Sequence, residues 1–277
     1  MLLGTALALQ AGHAFTALPF ACALAAAILI HLGTNLQNDV SDFRRGADGA
    51  GRIGPPRACT QGWLGAGQVQ TAAIACFALS LVPGFVLVHE FGWPFAFLGL
   101  ASIAAGAAYT AGPWPTGYHG LGELFVLVFF GLAAVAGSHY LQSFEISGSA
   151  LLGGLIVGML STAILVINNL RDIESDTRAG KRTLAVRFGR RFAVNEYAVL
   201  VLMPFVLAPP LGSLTPAGPL FALPALLMLP MALSLARDVR SHPKGTGLNT
   251  VLARTNRLLL FTGLLLCAGT LVPPDLP

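Results

Sequence analysis

The sequence predicts an all-α, polytopic membrane helix bundle with nine transmembrane helices, and three observations predict it. More than half of the 277 residues are apolar and only 10% are charged, against roughly a quarter charged in a soluble domain. Apolar stretches near the ~20 residues needed to cross a ~30 Å hydrocarbon core recur from end to end. No polar stretch between them is long enough to fold separately, so residues 1–277 read as one membrane domain.

Nine apolar segments run roughly over 1–11, 17–37, 68–89, 93–112, 121–142, 149–170, 194–211, 216–236 and 256–273. Prolines at 83, 94, 204, 209, 210, 224 and 230 fall in or beside them. They do not veto helices, because in a membrane bundle neighbouring helices and local adjustments re-satisfy the freed backbone groups. Gly154-x-x-x-Gly158 and the small-residue stretch Ala101–Ala108 suit close backbone approach. The first segment is an exception. About eleven helical residues rise only ~17 Å, which is too short to span. It also has no basic n-region or cleavage site of a signal peptide, so the expectation is a first helix whose N-terminal half is missing. The four cysteines, Cys22, Cys59, Cys76 and Cys267, show no metal-binding spacing and read as small apolar side chains.

All sixteen basic residues fall in three clusters. Arg44, Arg45, Arg52 and Arg57 follow the second segment. Seven residues from Arg171 to Arg191 follow the sixth. Arg237, Arg240, Lys244, Arg254 and Arg257 follow the eighth. An alternating path puts the three clusters on one side of the bilayer, which basic loops mark as cytoplasmic. The expected location is therefore the cell's inner (plasma) membrane, multi-pass, with these loops inside. The formal charge of +4 then reflects topology and an anionic ligand, and nucleic acid is not a partner. Trp63, Trp93 and Trp114 lie near segment ends, where an aromatic belt belongs.

Six of the twelve acidic residues sit in two short stretches. The first is Asn35-Leu-Gln-Asn38-Asp39-Val-Ser-Asp42, with Asp48 beyond it. The second is Asn168-Asn169-Leu-Arg171-Asp172-Ile-Glu174-Ser-Asp176. Asn35 and Asn168 are offset by 168 − 35 = 133 positions, as are Asp39 and Asp172 (172 − 39 = 133). Each stretch closes an even-numbered segment, the pattern of a four-helix unit used twice, plus a ninth helix.

Helical residues three or four apart share a face. Asn35, Asp39 and Asp42 are therefore expected to point one way, and Asn168, Asp172 and Asp176 likewise. Crowded carboxylates beside hydrocarbon want a cation. Carboxylate and amide oxygens suit Mg²⁺, which one or two carboxylates usually hold while substrate phosphates complete its shell. Two such clusters could clamp a diphosphate, with arginines and Lys181 completing the anion site. Solvated loop charge is the ordinary reading of a single such run. An ion or metabolite transporter is the reading from a different class, since intramembrane acids and repeats also mark transporters. Transport places its polar groups near the midplane, whereas here they cluster at helix ends.

At these residues the chain resembles the UbiA superfamily of intramembrane aromatic prenyltransferases, and within it the menaquinone branch. Three blocks carry the resemblance: NLQNDVSDFRRGADGAGRIGPPR from Asn35 to Arg57, YTAGPWPTGYHGLGELFVLVFFG from Tyr109 to Gly131, and INNLRDIESDTRAGKRTLAVRFG from Ile167 to Gly189. The wide step from Asp42 to Asp48, with Gly46 between, favours that branch over the one that prenylates 4-hydroxybenzoate. The resemblance implies a nine-helix bundle around a lipid-accessible cavity, Mg²⁺ as cofactor, a polyprenyl diphosphate donor and 1,4-dihydroxy-2-naphthoate as acceptor. Homogentisate or 4-hydroxybenzoate stays open as an alternative acceptor.

By the same resemblance Asp39, Asp42, Asp48, Asp172 and Asp176 would hold the metal. Asn35, Asn38, Asn168, Arg57, Lys181 and Arg182 would bind the donor. Tyr109 and Tyr118 would lie near the reacting carbon. His31 and His119 stay without an assigned role. The chain departs from some relatives at Pro113 and Trp114, where those carry Lys-Arg.

Overall fold

The computed structural model describes residues 1–47, 53–241, 245 and 247–272. Among these the chain is helical throughout, with no strand. The helices are α1 (Leu2–Gln10), α2 (Ala17–Arg44), α3 (Ala66–Phe91), α4 (Trp93–Ala108), α5 (Gly122–Val126), α6 (Ala134–Ser143), α7 (Gly148–Arg171), α8 (Ile173–Arg178), α9 (Leu184–Ser213), α10 (Leu223–Leu226), α11 (Leu229–Ser241) and α12 (Gly247–Gly269). A π-helical turn, Leu127–Ala133, joins α5 to α6, and short 3₁₀ turns cover Thr116–His119 and Gly218–Ala222.

A helix meets every apolar segment, but fewer than nine have spanning length. Six pass by length and composition: Ala17–Arg44, Ala66–Phe91, Gly122–Ser143, Gly148–Arg171, Leu184–Ser213 and Gly247–Gly269. The pair Gly218–Leu226 and Leu229–Ser241, bent by 50°, makes a seventh if it is one span. The shortfall lies at α1, with nine residues, and α4, with sixteen. At 1.5 Å per residue these rise about 14 Å and 24 Å, short of a ~30 Å core.

Exposure identifies the surrounding solvent. The most apolar window of α2 has a mean hydropathy of 1.9, yet only 11% of it is buried inside the protein. No residue of α4 is buried, and Phe85, Trp93 and Phe97 are all more than 70% exposed. Apolar surface on that scale belongs in hydrocarbon.

The contacts divide the chain into two compact units. The first comprises Met1–Thr16, Glu123–Arg171 and Arg190–Pro277. Its core gathers Leu3 and Leu7 of α1 with Val135, Ile156, Leu211, Phe221 and Leu266. Here the π turn crosses α7 at backbone contact: a Cβ on Gly131 would lie 2.4 Å from the Cα of Gly158 and 2.5 Å from the carbonyl oxygen of Gly154. The small-residue motif of α7 thus has its partner, and only glycine fits there. Glu123 is buried in the same unit, where its carboxylate accepts the Asn169 amide at 2.8 Å.

The second unit comprises Ala17–Gly122 and Asp172–Gly189. α2 packs along α3, with Val40, Cys59 and Val69 as its small buried core. α9 bends at Gly189, whose φ of 79° lies in the left-handed region that favours glycine. The boundary between the units falls there.

Candidate active site

The second unit contains the first acidic stretch together with Asp172 and Asp176 of the second, and Lys181 and Arg182 after it. α2 carries its acids into its last turns because it runs unbroken to Arg44, past the hydrophobic stretch and through the whole motif. Asp39 and Asp42 are both buried, at 5% and 6% exposure. One oxygen of Asp39, Oδ2, accepts the backbone N–H of Ala58 at 2.9 Å, and the other, Oδ1, is buried with no hydrogen-bond partner. Burial and the neighbouring Asp39 push the Cys59 thiol up from its ordinary pKa. Asp42 Oδ1 accepts the Tyr118 hydroxyl at 2.8 Å.

One turn before Asp39, the exposed Asn35 sets its amide against His31, 3.0 Å from Nε2 and 3.1 Å from the carbonyl oxygen. The carbonyl of Asn35 accepts Arg57 at 3.4 Å. Asn38 is half-buried and accepts the Thr110 hydroxyl at 2.7 Å. Asp48 lies outside the described residues.

The second stretch departs from the expected single helix face. α7 ends at Arg171, Asp172 takes φ −99°, ψ 10° as the N-cap of α8, and Asp176 sits on that new short helix. The face shared by Asn168, Asp172 and Asp176 is therefore interrupted at its middle residue. Asp and Ser compete for backbone hydrogen bonds and favour such breaks. Here the Ser175 hydroxyl donates to the Asp172 carbonyl at 2.9 Å. Asn168 stays on α7, its amide donating to the Ile164 carbonyl at 3.1 Å.

Asp176 is 6% exposed, with Oδ1 3.7 Å from Lys181 Nζ and a buried Oδ2 that has no hydrogen-bond partner. Its pKa is pushed up to about 6. Burial is the largest cause, the charges of Asp172 and Asp42 add to it, and Lys181 opposes it. The two stretches thus lie within each other's electrostatic reach.

The loop after α4 closes over them. Tyr109 is half-buried, with its carbonyl accepting the Gly117 N–H at 2.9 Å and its ring against Gly117, where a Cβ would lie 2.9 Å from Cζ. Tyr118 is buried. Arg45 Cζ lies 4.7 Å and Lys181 Nζ 5.5 Å from the centre of its ring. Burial, then Asp42, raises its hydroxyl pKa. The Tyr118 carbonyl accepts the Arg182 N–H at 2.8 Å. Trp114 stacks on His119 at 4.4 Å, and the ring Nδ1–H of His119 donates to the Pro115 carbonyl at 2.9 Å.

Arg45 is a residue of the site that motif reading passed over. It stands three positions after Asp42, which is one helical turn, and it reaches the loop lacking the Lys-Arg pair, donating to the Gly112 carbonyl at 3.1 Å. With Arg44, Gln37, Ser41 and Gln70 it lines a cavity of about 290 Å³.

The arrangement fits a divalent cation by its donor chemistry. Two buried carboxylates, Asp39 and Asp176, each keep one oxygen without a hydrogen bond, and hard oxygen donors of that kind suit Mg²⁺. Among the described residues no three acidic, His or Cys side chains close into a complete metal site.

Fold and site together define a membrane-embedded helical protein with buried acids in the last turns of α2 and on α8. The chain belongs to the UbiA prenyltransferase family, which it matches over residues 1–251. It is 38% identical to the 1,4-dihydroxy-2-naphthoate octaprenyltransferase of Escherichia coli K12 over 275 residues, 97% of this chain and 89% of that one. It is 39% identical to the enzyme of the same name from Mycobacterium tuberculosis over 239 residues, 86% of this chain and 80% of that one. Its fold is that of a UbiA homolog from Archaeoglobus fulgidus solved with DMAPP and Mg²⁺ (TM-score 0.67, 17% identity, 99% of this chain and 95% of that one).

Proposed function

We propose that this chain transfers a polyprenyl group from a polyprenyl diphosphate to 1,4-dihydroxy-2-naphthoate, releasing CO₂ and diphosphate and giving demethylmenaquinol. The observation that carries the acceptor is the activity shared by relatives that match this chain nearly end to end. The buried acids with free oxygens beside Lys181 support the diphosphate end.

Asp39, Asp42 and Asp48 of the first stretch and Asp172 and Asp176 of the second would hold Mg²⁺. Bound there, the ion offsets the charge that grows on the diphosphate as the allylic C–O bond breaks. Lys181, Arg182 and Arg57 supply fixed positive charge for the same oxygens, in place before the reaction starts. The amides of Asn35, Asn38 and Asn168 offer donor-binding hydrogen bonds. Tyr109 is the loop aromatic whose half-open ring can face the allylic cation, and the site must keep water from that cation.

The acceptor ring attacks through the carbon that bears its carboxylate. A C–C bond forms to the prenyl carbon as the C–O bond to diphosphate breaks. The carboxylate then leaves as CO₂, and its bonding electrons restore the aromatic ring. No ring proton has to be taken by a protein base. His31, held against Asn35, and His119, stacked on Trp114, therefore need no such role.

The clustering of basic residues in these loops supports a site on the cytoplasmic side of the inner (plasma) membrane. The test is turnover by the purified protein. Activity should vanish in EDTA, return with Mg²⁺, and be lost in Asp39→Asn and Asp172→Asn while both variants still insert and purify. Full turnover in EDTA would overturn the metal-diphosphate reading.

A further inference from the structure

Tyr118 touches the first acidic stretch and the basic residues that follow the second, through three different parts of the residue. Its hydroxyl donates to Asp42 Oδ1 on α2 at 2.8 Å. Its ring lies under Arg45, three residues after Asp42, and under Lys181, the cation paired with Asp176. Its carbonyl accepts the N–H of Arg182, next to Lys181. The 3₁₀ turn Thr116–His119 that presents it ends at Gly120, where φ is +74° and a Cβ would lie 3.1 Å from the Arg182 carbonyl oxygen. The turn is thus docked against the Lys181–Arg182 segment by backbone as well as side chain.

This placement argues against a ring that stabilises an allylic cation. Two cationic side chains already lie over that ring, and a third positive charge beside it would be repelled by both. The hydroxyl is committed as well. A buried phenol donating to a carboxylate fixes that carboxylate's rotation, so one oxygen is held and the other is aimed. Residues that orient ligands in this way govern metal affinity without touching the metal.

We propose that Tyr118 is a positioning residue, a clasp that joins the first acidic stretch to the Lys181–Arg182 segment behind the second and aims Asp42 at the cation. The inference rests on the metal-diphosphate reading of the site. Tyr118→Phe removes the hydroxyl and keeps the ring between its two cations.

The experiment reads Mn²⁺ bound to the purified protein by EPR in the presence of inorganic pyrophosphate, alongside the Mg²⁺ dependence of turnover. Wild type is measured first. If it binds no Mn²⁺, the metal-diphosphate reading itself fails, and the clasp with it. If it binds, Tyr118→Phe should weaken Mn²⁺ affinity by roughly 10–100-fold, with kcat approaching wild type once Mg²⁺ is saturating.

An unchanged Mn²⁺ affinity would overturn the clasp alone. So would a fall in kcat that saturating Mg²⁺ leaves uncorrected, because that marks a ring or hydroxyl acting on the substrate. A double-mutant cycle separates positioning from general loosening. In an Asp42→Asn background, Tyr118→Phe should weaken Mn²⁺ affinity no further, whereas a merely structural role would add its full effect. Should Tyr118→Phe alone fail to fold, the comparison of Asp42→Asn with wild type still decides: equal Mn²⁺ affinity in the two means Asp42 is not aimed at the cation, and the clasp is wrong.

Discussion

Asp176→Asn should stabilise the metal-free protein while destroying its activity. In the folded chain the Asp176 pKa is pushed up to about 6, from the 3.8 of a carboxyl in water. A raised carboxylate pKa means that the folded state favours the protonated form. Above pH 6 the charge is present in both states and the folded state bears its cost. Below 3.8 the group is neutral in both and costs nothing. A shift of about two units at 1.36 kcal/mol each amounts to about 3 kcal/mol at pH 7.5. Asparagine removes that cost at the same volume, less whatever Lys181 loses with its partner. The assay is thermal unfolding in detergent with EDTA at pH 7.5 and at pH 4.5. Asp176→Asn should melt several degrees above wild type at the higher pH, and the gap should shrink at the lower. Equal destabilisation at both pH values would refute the reasoning, because it would show Asp176 acting as a structural hydrogen-bond partner whose charge costs nothing.

Two further outcomes follow from geometry. Gly131→Val should block folding or cost more than the roughly 1–3 kcal/mol of ordinary overpacking, because the added atoms meet the backbone of α7, which cannot move aside; yield of monodisperse protein checks this. In a background without native cysteines, Ala47→Cys and Ala179→Cys should resist an impermeant thiol reagent in intact cells and react after lysis, as cytoplasmic motif loops require.

Much of this was legible in the chain. The apolar segments became helices because length and composition alone decide what can sit in hydrocarbon. The 133-residue offset located both acidic stretches, and Asp39, Asp42 and Asp176 are buried beyond the apolar part of their segments. Other features depend on contacts that no spacing carries. Periodicity extended a helix through Asp172, but a Ser hydroxyl and a backbone carbonyl broke it there. Arg45 looked like one more basic residue in a topology-setting cluster. Only the return of the loop carrying Gly112 and Tyr118 gave it partners. The contacts of Tyr118 with Asp42, Arg45 and Lys181 were likewise not legible, because sequence shows a ring and not what lies over it. Six or seven of the nine apolar segments form helices of spanning length, and the count of nine is not confirmed, because apolarity does not fix where a helix ends, as at α1 and α4.

The central claim is decarboxylative prenyl transfer, and carboxyl-labelled 1,4-dihydroxy-2-naphthoate tests it most directly. Incubated with purified protein, a polyprenyl diphosphate and Mg²⁺, it should release one labelled CO₂ for each prenyl group transferred, leaving a product without label. A prenylated product that keeps the labelled carboxylate, or no transfer to this acceptor where homogentisate or 4-hydroxybenzoate is prenylated, would contradict the account.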